Sequence, residues 1–183
     1  MSTLEVNKLA PLADNGTVTL GDSGDTITIP SGVTITNSGT QTGFGGENTP
    51  AFTAILDSDQ SMANNTTTKI LFTSELLDTD NAFANSKFTV PSGKGGNYLF
   101  IAKVRASNFS NTTNLYIYKN GGELNTAFRT TSLSGGNTAY GANTITALVP
   151  LVAGDYIEIY GDQNSGGTAS LTTKVFQGFK IIT

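Results

Sequence analysis

FTVPSGKGGNYLF, residues Phe88–Phe100, decides the fold. At its two ends large apolar residues alternate with others (Phe88 and Val90, then Tyr98 and Phe100), the period of a strand with one buried face. Between them Pro91, Gly93, Gly95 and Gly96 suit neither a helix nor a regular strand, so the stretch reads as strand, tight turn, strand. The same grammar recurs outward along the chain. LYIYKNGGEL (Leu115–Leu124) sets Asn120-Gly121 between alternating residues, a strong hairpin signal. LVPLVAGDYIEIYG (Leu148–Gly161) gives two strands joined by Ala153-Gly154-Asp155. There Gly154 suits a positive φ and Asp155 a side-chain-to-backbone hydrogen bond. FQGFKI (Phe176–Ile181) belongs to a closing strand. AFTAIL (Ala51–Leu56), KILFTSELL (Lys69–Leu77) and KFTV (Lys87–Val90) read as further strands. YLFIAKVRAS (Tyr98–Ser107) is a long one, in which Leu99, Ile101 and Val104 shift between faces through a bulge. Roughly eight to ten strands at this spacing, with no helical periodicity, make residues 51–183 an all-β sandwich or jelly roll. Phe88, Tyr98, Phe100, Phe176 and Phe179 are its expected interior, each contributing about 1.5–3 kcal/mol by burial.

Residues 17–44 follow another rule. Val18 and Leu20, Ile27 and Ile29, and Val33 and Ile35 are apolar pairs spaced by Thr, with turn sequences at Gly21–Asp25, Pro30–Gly32 and Asn37–Gly39. Strands this short expose their edges and hold too few apolar residues for a core of their own. Three copies wound about one axis, pairs inward, would bury them; a Gly/Ser/Thr-rich leader without fixed structure is the alternative. Clustered glycines, Glu47 and Pro50 make residues 45–50 a hinge. Residues 1–16 carry Leu4, Val6, Leu9 and Leu12 around Pro11. They read as a segment that docks on another protein, or as a frayed terminus.

Composition narrows the chemistry. With ten scattered Lys and Arg and a net charge of −4, the chain lacks the basic footprint that nucleic acid requires. No apolar run approaches the roughly 20 residues that span a bilayer, and the first residues do not read as a secretory signal. Asn-x-Ser/Thr matches at Asn15, Asn64, Asn65, Asn108 and Asn111 are what chance gives in so Asn- and Thr-rich a chain. There is no histidine and no cysteine. That removes disulfides, Ser-His-Asp and Cys-His arrangements and the usual zinc or copper ligation. Paired carboxylates remain. Asp57/Asp59 and Asp78/Asp80 each lie two apart in Ser/Asn/Thr-rich loops, where Asp serves turns, and do not read as a glycosidase pair. Calcium, which takes hard oxygen ligands, is the better use of the same four residues. No catalytic residue and no cofactor is expected. Tyr116 and Tyr118 alternate on a strand and suit a sheet surface or an interface; Tyr140, in the polar loop GGNTAYGAN, is the one candidate for stacking on a glycan ring.

The four motifs, in this order, resemble the globular heads of complement component one-q and its tumour-necrosis-factor-like relatives. The pattern of those heads is F-x-V-P-x-x-G-x-Y-x-F, a K-N-G turn, L-x-x-G-D-x-V and a final F-x-G-F. This chain supplies Phe88, Val90, Pro91, Gly96, Tyr98 and Phe100; Lys119, Asn120 and Gly121; Leu151, Gly154, Asp155 and Ile157; and Phe176, Gly178 and Phe179. It departs in a longer SGKGGN loop and in a β-rich stalk where animal members carry a collagen repeat. The resemblance spans about residues 51–183 and implies a jelly-roll head that assembles as a homotrimer and binds other molecules. It gives the matched residues structural roles. The N-terminal sequence MSTLEVNKL, with VTLGDSGDTITIPSG, is similar to fibre and appendage proteins of marine tailed bacteriophages, where an attachment segment precedes a trimeric β stem and a head. Together these imply a non-enzymatic virion surface protein, a short fibre or appendage for host attachment or surface display. Its N-terminal segment would bind other virion proteins, and its head a host surface glycan or protein. A capsid decoration protein docked on the shell and a free lectin-like module stay open as alternatives.

Overall fold

A computed structural model of the chain describes residues 9, 16–38, 48–56, 58–107, 112–133 and 141–181. The chain divides into two units, Met1–Thr42 and Gly43–Thr183. The second contains the strands β1 (Ala51–Leu56), β2 (Gln60–Met62), β3 (Thr68–Lys69), β4 (Ser74–Asp78), β5 (Phe83–Ala84), β6 (Lys87–Thr89) and β7 (Gly96–Ser107). These are followed by β8 (Thr112–Lys119), β9 (Gly122–Glu123), β10 (Thr130–Leu133), β11 (Gly141–Leu151), β12 (Tyr156–Asn164) and β13 (Ala169–Lys180). A single 3-10 turn, Thr126–Phe128, is the one helical element among the described residues, and none there is long and apolar enough to cross a membrane.

The strands form two antiparallel sheets. The six-stranded sheet runs β11-β7-β13-β1-β4 with β2 beside β13; the seven-stranded sheet runs β10-β8-β12-β6-β5 with β3 on β12 and β9 on β8. Alternation decides what each strand buries. β1 turns Phe52, Ala54 and Leu56 inward, and β7 turns Tyr98, Phe100, Ala102, Val104 and Ala106 inward without a break. The bulge expected on β7 lies instead on its partner β13, between Leu171 and Thr173, which face Ala106 and Arg105. One extra residue there shifts the parity, so Leu171, Lys174, Phe176 and Gly178 share the inner face. Lys174 is thereby only 2% exposed. Its ammonium donates to the carbonyls of Ser58 at 3.0 Å and Leu171 at 2.7 Å, and burial pushes its pKa down to about 8.

The expected strand Lys69–Leu77 is two strands in different sheets. β3 pairs with β12 and β4 with β1, and Ile70–Thr73 crosses between them with Ile70 and Phe72 buried. The crossing keeps its backbone satisfied through Ile70 N to Ile159 O at 2.8 Å, Phe72 N to Ser86 Oγ at 2.9 Å and Thr73 N to Ile55 O at 2.8 Å.

Aromatic rings fill the space between the sheets. Phe52 stacks on Phe83 and Phe88 of the opposite sheet, centroids 4.9 and 5.0 Å away, and meets Phe176 edge-on at 4.8 Å. Phe88 packs on Phe100 at 5.4 Å and on Tyr98 at 5.4 Å. Phe179 departs from expectation: it faces outward and is 37% exposed. It lies three positions after Phe176, an odd spacing that puts the two on opposite faces of a regular strand.

In the first unit, residues 16–38 contain two hydrogen-bonded turns and no strand. Asp25 N donates to Asp22 O at 3.0 Å while Asp25 Oδ2 accepts from Asp22 N at 2.8 Å, and Val33 N donates to Pro30 O at 3.2 Å. The short strands expected here form no ladder among the described residues, and the six apolar side chains are 39–59% exposed. Residues 45–47 of the expected hinge lie outside the described residues.

Gly178 lets the sandwich close. A Cβ there would sit 2.6 Å from the Phe100 ring and 2.9 Å from Leu99 O. Gly178→Ala is therefore expected to destabilise the head by about 1–3 kcal/mol through overpacking, measured as a lower urea midpoint. A variant as stable as the parent would mean that Phe100 can move aside.

Candidate functional site

Three of the four motifs converge on one set of turns. Asn120 and Gly121 adopt φ 54° and 82°, the two left-handed residues that a tight hairpin requires. Asn120 Nδ2 donates to Asp155 Oδ1 at 2.8 Å, and Asn120 Oδ1 accepts from Tyr156 N at 2.9 Å. Asp155 Oδ2 accepts from Val152 N at 2.9 Å and pairs with Lys119 Nζ at 2.8 Å. Gly154, at φ 88°, closes the turn and donates its N–H to Val90 O at 2.9 Å, while Val90 N donates to Asp155 O at 2.9 Å. Pro91 then opens a turn whose Lys94 N returns to Pro91 O at 3.1 Å, and the buried Tyr98 hydroxyl donates to Lys94 O. Hydrogen bonds from Lys119, Asn120 and the Val152 amide hold the Asp155 carboxyl at about 2. Burial, helped by the charge of Asp80, pushes Tyr98 up to about 12. These residues tie neighbouring turns to one another.

The acidic pairs are occupied in the same way. Asp78 Oδ1 accepts from Ala82 N and Oδ2 from Phe83 N, both at 2.9 Å. Asp80 accepts from Thr79 Oγ1 at 2.7 Å and pairs with Lys94 at 3.4 Å. Asp59 accepts from Ser170 Oγ at 3.1 Å. Asp57 and Tyr140 lie outside the described residues. Among the described residues no three metal-ligating side chains gather, and the carboxylates face N–H, hydroxyl and ammonium donors.

Tyr116 and Tyr118 of β8 and Tyr156 and Tyr160 of β12 project from the outer face of the seven-stranded sheet. Their rings are covered: Tyr118 stacks on Tyr160 at 4.1 Å, Lys87 lies 4.5 Å over Tyr156, and Arg129 lies 5.2 Å over Tyr116. Burial and a hydrogen bond to Asp162 push the Tyr116 hydroxyl up. Arg129 is held by Glu123 through two bonds of 2.6 and 2.7 Å, and Lys69 by Glu158 at 2.6 Å. The face is internally satisfied.

The outer face of the six-stranded sheet is not. Strand register aligns Leu148, Leu99, Phe179 and Ala51 in one row across β11, β7, β13 and β1. The next row holds Thr146, Ile101, Gln177 and Thr53, reaching Leu77 on β4. Leu148 is 55% and Leu77 47% exposed, and a groove of about 240 Å³ opens among Phe179, Leu99, Ile101, Thr53 and Leu77. Further along β7 the face turns basic, with Lys103 and Arg105. A contiguous apolar surface with a groove is the usual mark of a protein contact. Sequence reasoning placed Phe179 inside and missed this face. The signal was present: Tyr98-Leu99-Phe100-Ile101 is apolar at both parities, as a strand covered on two sides would be.

No protein-family model matches the chain, and no curated protein matches it in sequence. Solved structures do match. The PRD1 vertex protein P5 superposes with a TM-score of 0.51 at 17% identity, covering 74% of this chain and 99% of that one. Murine APRIL gives a TM-score of 0.50 at 14% identity, covering 72% and 99%. The head is a jelly roll, the fold it shares with these two structures. The globular domain of zebrafish complement 1qA protein also aligns, at TM-score 0.49 and 18% identity over 72% of this chain and 97% of that one.

The Asp155 junction carries a pH signature. Its carboxyl titrates at about 2 when folded, against 3.8 for an unperturbed one. Between those values the unfolded chain binds more protons, so its contribution is complete above about pH 4 and is lost as pH falls toward about 2. Asp155→Asn is expected to cost about 1.5–3 kcal/mol at neutral pH and to flatten the acid-side loss of stability. An unchanged acid limb in equilibrium unfolding would contradict this.

Proposed function

We propose that this protein is a homotrimeric structural protein on the surface of a virion, a short fibre or appendage used for host attachment or surface display. The observation that carries the trimeric reading is the cluster of apolar side chains Leu148, Leu99, Phe179, Ile101 and Leu77 on the outer face of the six-stranded sheet. A head standing alone would leave Leu148, Leu99, Phe179 and Ile101 facing water, whereas neighbouring copies of the same head would cover them. The exposed apolar pairs of residues 17–36 make the same demand independently. The jelly-roll fold supports a structural or binding role. Its likeness to a phage vertex protein supports a virion location. Residues 1–16 would then dock the trimer on other virion proteins.

A second reading, a capsid decoration protein whose N-terminal arm docks on the shell, draws on the same comparison, since a vertex is a feature of a shell. Among the described side chains the perturbed groups are engaged within the fold, Asp155, Tyr98 and Lys174 on backbone, Tyr116 on Asp162 and Glu123 on Arg129, and the groove is lined by apolar side chains, threonine and glutamine.

Two measurements test the proposal. Sedimentation equilibrium is expected to give three chains per particle, and Ile101→Asp, which sets a charge in the apolar face, should weaken association tenfold or more, about 1.4 kcal/mol or more. A monomeric parent protein would refute the trimer. Immunogold labelling of particles is expected at the tail for a fibre and over the shell for a decoration protein; unlabelled particles would refute the virion reading.

A further inference from the structure

We infer that the end of the head opposite Pro50 is a recognition surface for an uncharged glycan, built from the β2–β3 connection and the β12–β13 turn. The inference rests on the attachment reading above and names where the head would meet a host and what chemistry it would take.

The chain enters the head at Pro50, and β13 finishes beside it, with Lys180 N donating to Pro50 O at 3.0 Å. Strand register sorts the connections between two ends. Those at the Pro50 end carry Asp80, Lys94 and Asp155, with Lys94 paired to Asp80 and Asp155 to Lys119. The other end differs. Residues 63–67 (Ala-Asn-Asn-Thr-Thr) and 165–168 (Ser-Gly-Gly-Thr) hold no charge. The segments joining β7 to β8 and β10 to β11 start and finish at this end, at Ser107 and Thr112 and at Leu133 and Gly141. They hold no charge either. Only residues 57–59, with Asp57 and Asp59, break the rule, and Asp59 accepts from Ser170 Oγ at 3.1 Å.

Lack of charge alone would describe any inert loop. What distinguishes these two is that one buried side chain fixes both. Gln163 is 0% exposed; its Nε2 donates to Met62 O at 3.0 Å and Gly167 O at 2.7 Å, and its Oε1 accepts from Ser165 N at 2.7 Å. The loops are also joined directly, Gly166 N donating to Asn64 Oδ1 at 2.8 Å and Asn65 N to Gln163 O at 2.7 Å. Asn65 is thereby held at φ 52°, next to Asn164. Asn65, Thr67, Asn164 and Thr168 are exposed, and no hydrogen bond within the described residues engages their side chains.

The ligand class follows from that inventory. An amide offers donors and an acceptor, and a hydroxyl offers both on one atom, which complements the hydroxyl groups of a sugar. Because the backbone is already fixed, few groups remain to be ordered on binding, which preserves the gain from neutral hydrogen bonds. A sulfated, phosphorylated or carboxylated glycan would find no cation in these loops to replace its lost hydration. An apolar protein partner would find no apolar side chain there larger than that of Ala63.

In the full-length chain, Asn65→Gly combined with Asn164→Ala removes both amides, and glycine keeps the left-handed backbone. Thr67→Ala combined with Thr168→Ala is a second variant. On an array of neutral and acidic glycans the parent protein is expected to bind neutral members and to keep that signal as salt is raised. Each variant should bind them roughly tenfold or more weakly, with an unchanged urea midpoint. Binding confined to acidic glycans, binding to none, or equal binding by the parent and a folded variant would overturn the inference. Those outcomes leave the virion reading standing, since labelling of particles decides it separately; unlabelled particles would remove that reading and, with it, the host role of the surface.

Discussion

Phe52 is the point on which the sandwich depends. Its ring touches Phe83 and Phe88 on one sheet and Phe176 on the other, so it bridges both layers from the first strand of the head. The strand that carries it, β1, lies beside β13 along the full run from Ala51 to Leu56, which sets the first and last strands of the head side by side. That pairing brings Gly178 opposite Phe52, and its missing side chain leaves room for the ring of Phe100. Two of the four sequence motifs thus describe one object: FTVP supplies rings, and FQGF supplies a ring and the gap beside it.

The polar residues obey a companion constraint. A two-layer sandwich must return its chain at each end, and each return leaves backbone groups that need partners. Asp155, Asn120, Asp78, Ser86 and the hydroxyl of Tyr98 meet that need, and so does the ammonium of Lys174. Strongly shifted titration often marks catalysis, but the same shifts arise wherever a charged group is fixed by backbone partners or buried. Asp155 is held low by three donors and Lys174 is pushed down by burial, and both act on the backbone of this fold.

Much of this was legible in the residues. Alternation, Asn120-Gly121 and Gly154-Asp155 give the strands and their returns because strand period and left-handed turns are local properties. What escaped was non-local. The parity of β13 depends on a bulge that its own sequence does not announce, since Thr172 and Thr173 suit either face; reading through it hides the burial of Lys174. The break at Ile70–Thr73 is invisible because a segment crossing between sheets keeps the alternation of a strand. The outward position of Phe179 was readable from its odd spacing to Phe176, but the motif that places both aromatics together invites the wrong inference that both face the core. The candidate contact face was hidden for the same reason: on a strand apolar at both parities, the sequence does not say which side meets its own sandwich.

Low charge is where composition and assembly meet. Only 13% of residues are charged, and their distribution is uneven. β11 runs from Gly141 to Leu151 at the edge of its sheet without one charged side chain. A long uncharged edge invites unwanted pairing in a free-standing domain, and Pro150 blunts only its end. Residues 16–38 are equally bare, with two charges confined to one turn. Solvent-facing sheet surfaces and edges normally carry Lys and Glu because charge disfavours irregular association. A chain that omits them from a sheet edge and an N-terminal repeat, and from the Leu99–Phe179 end of a sheet face, leaves three adhesive surfaces. Ordered association with copies of itself covers such surfaces without requiring charge on any of them.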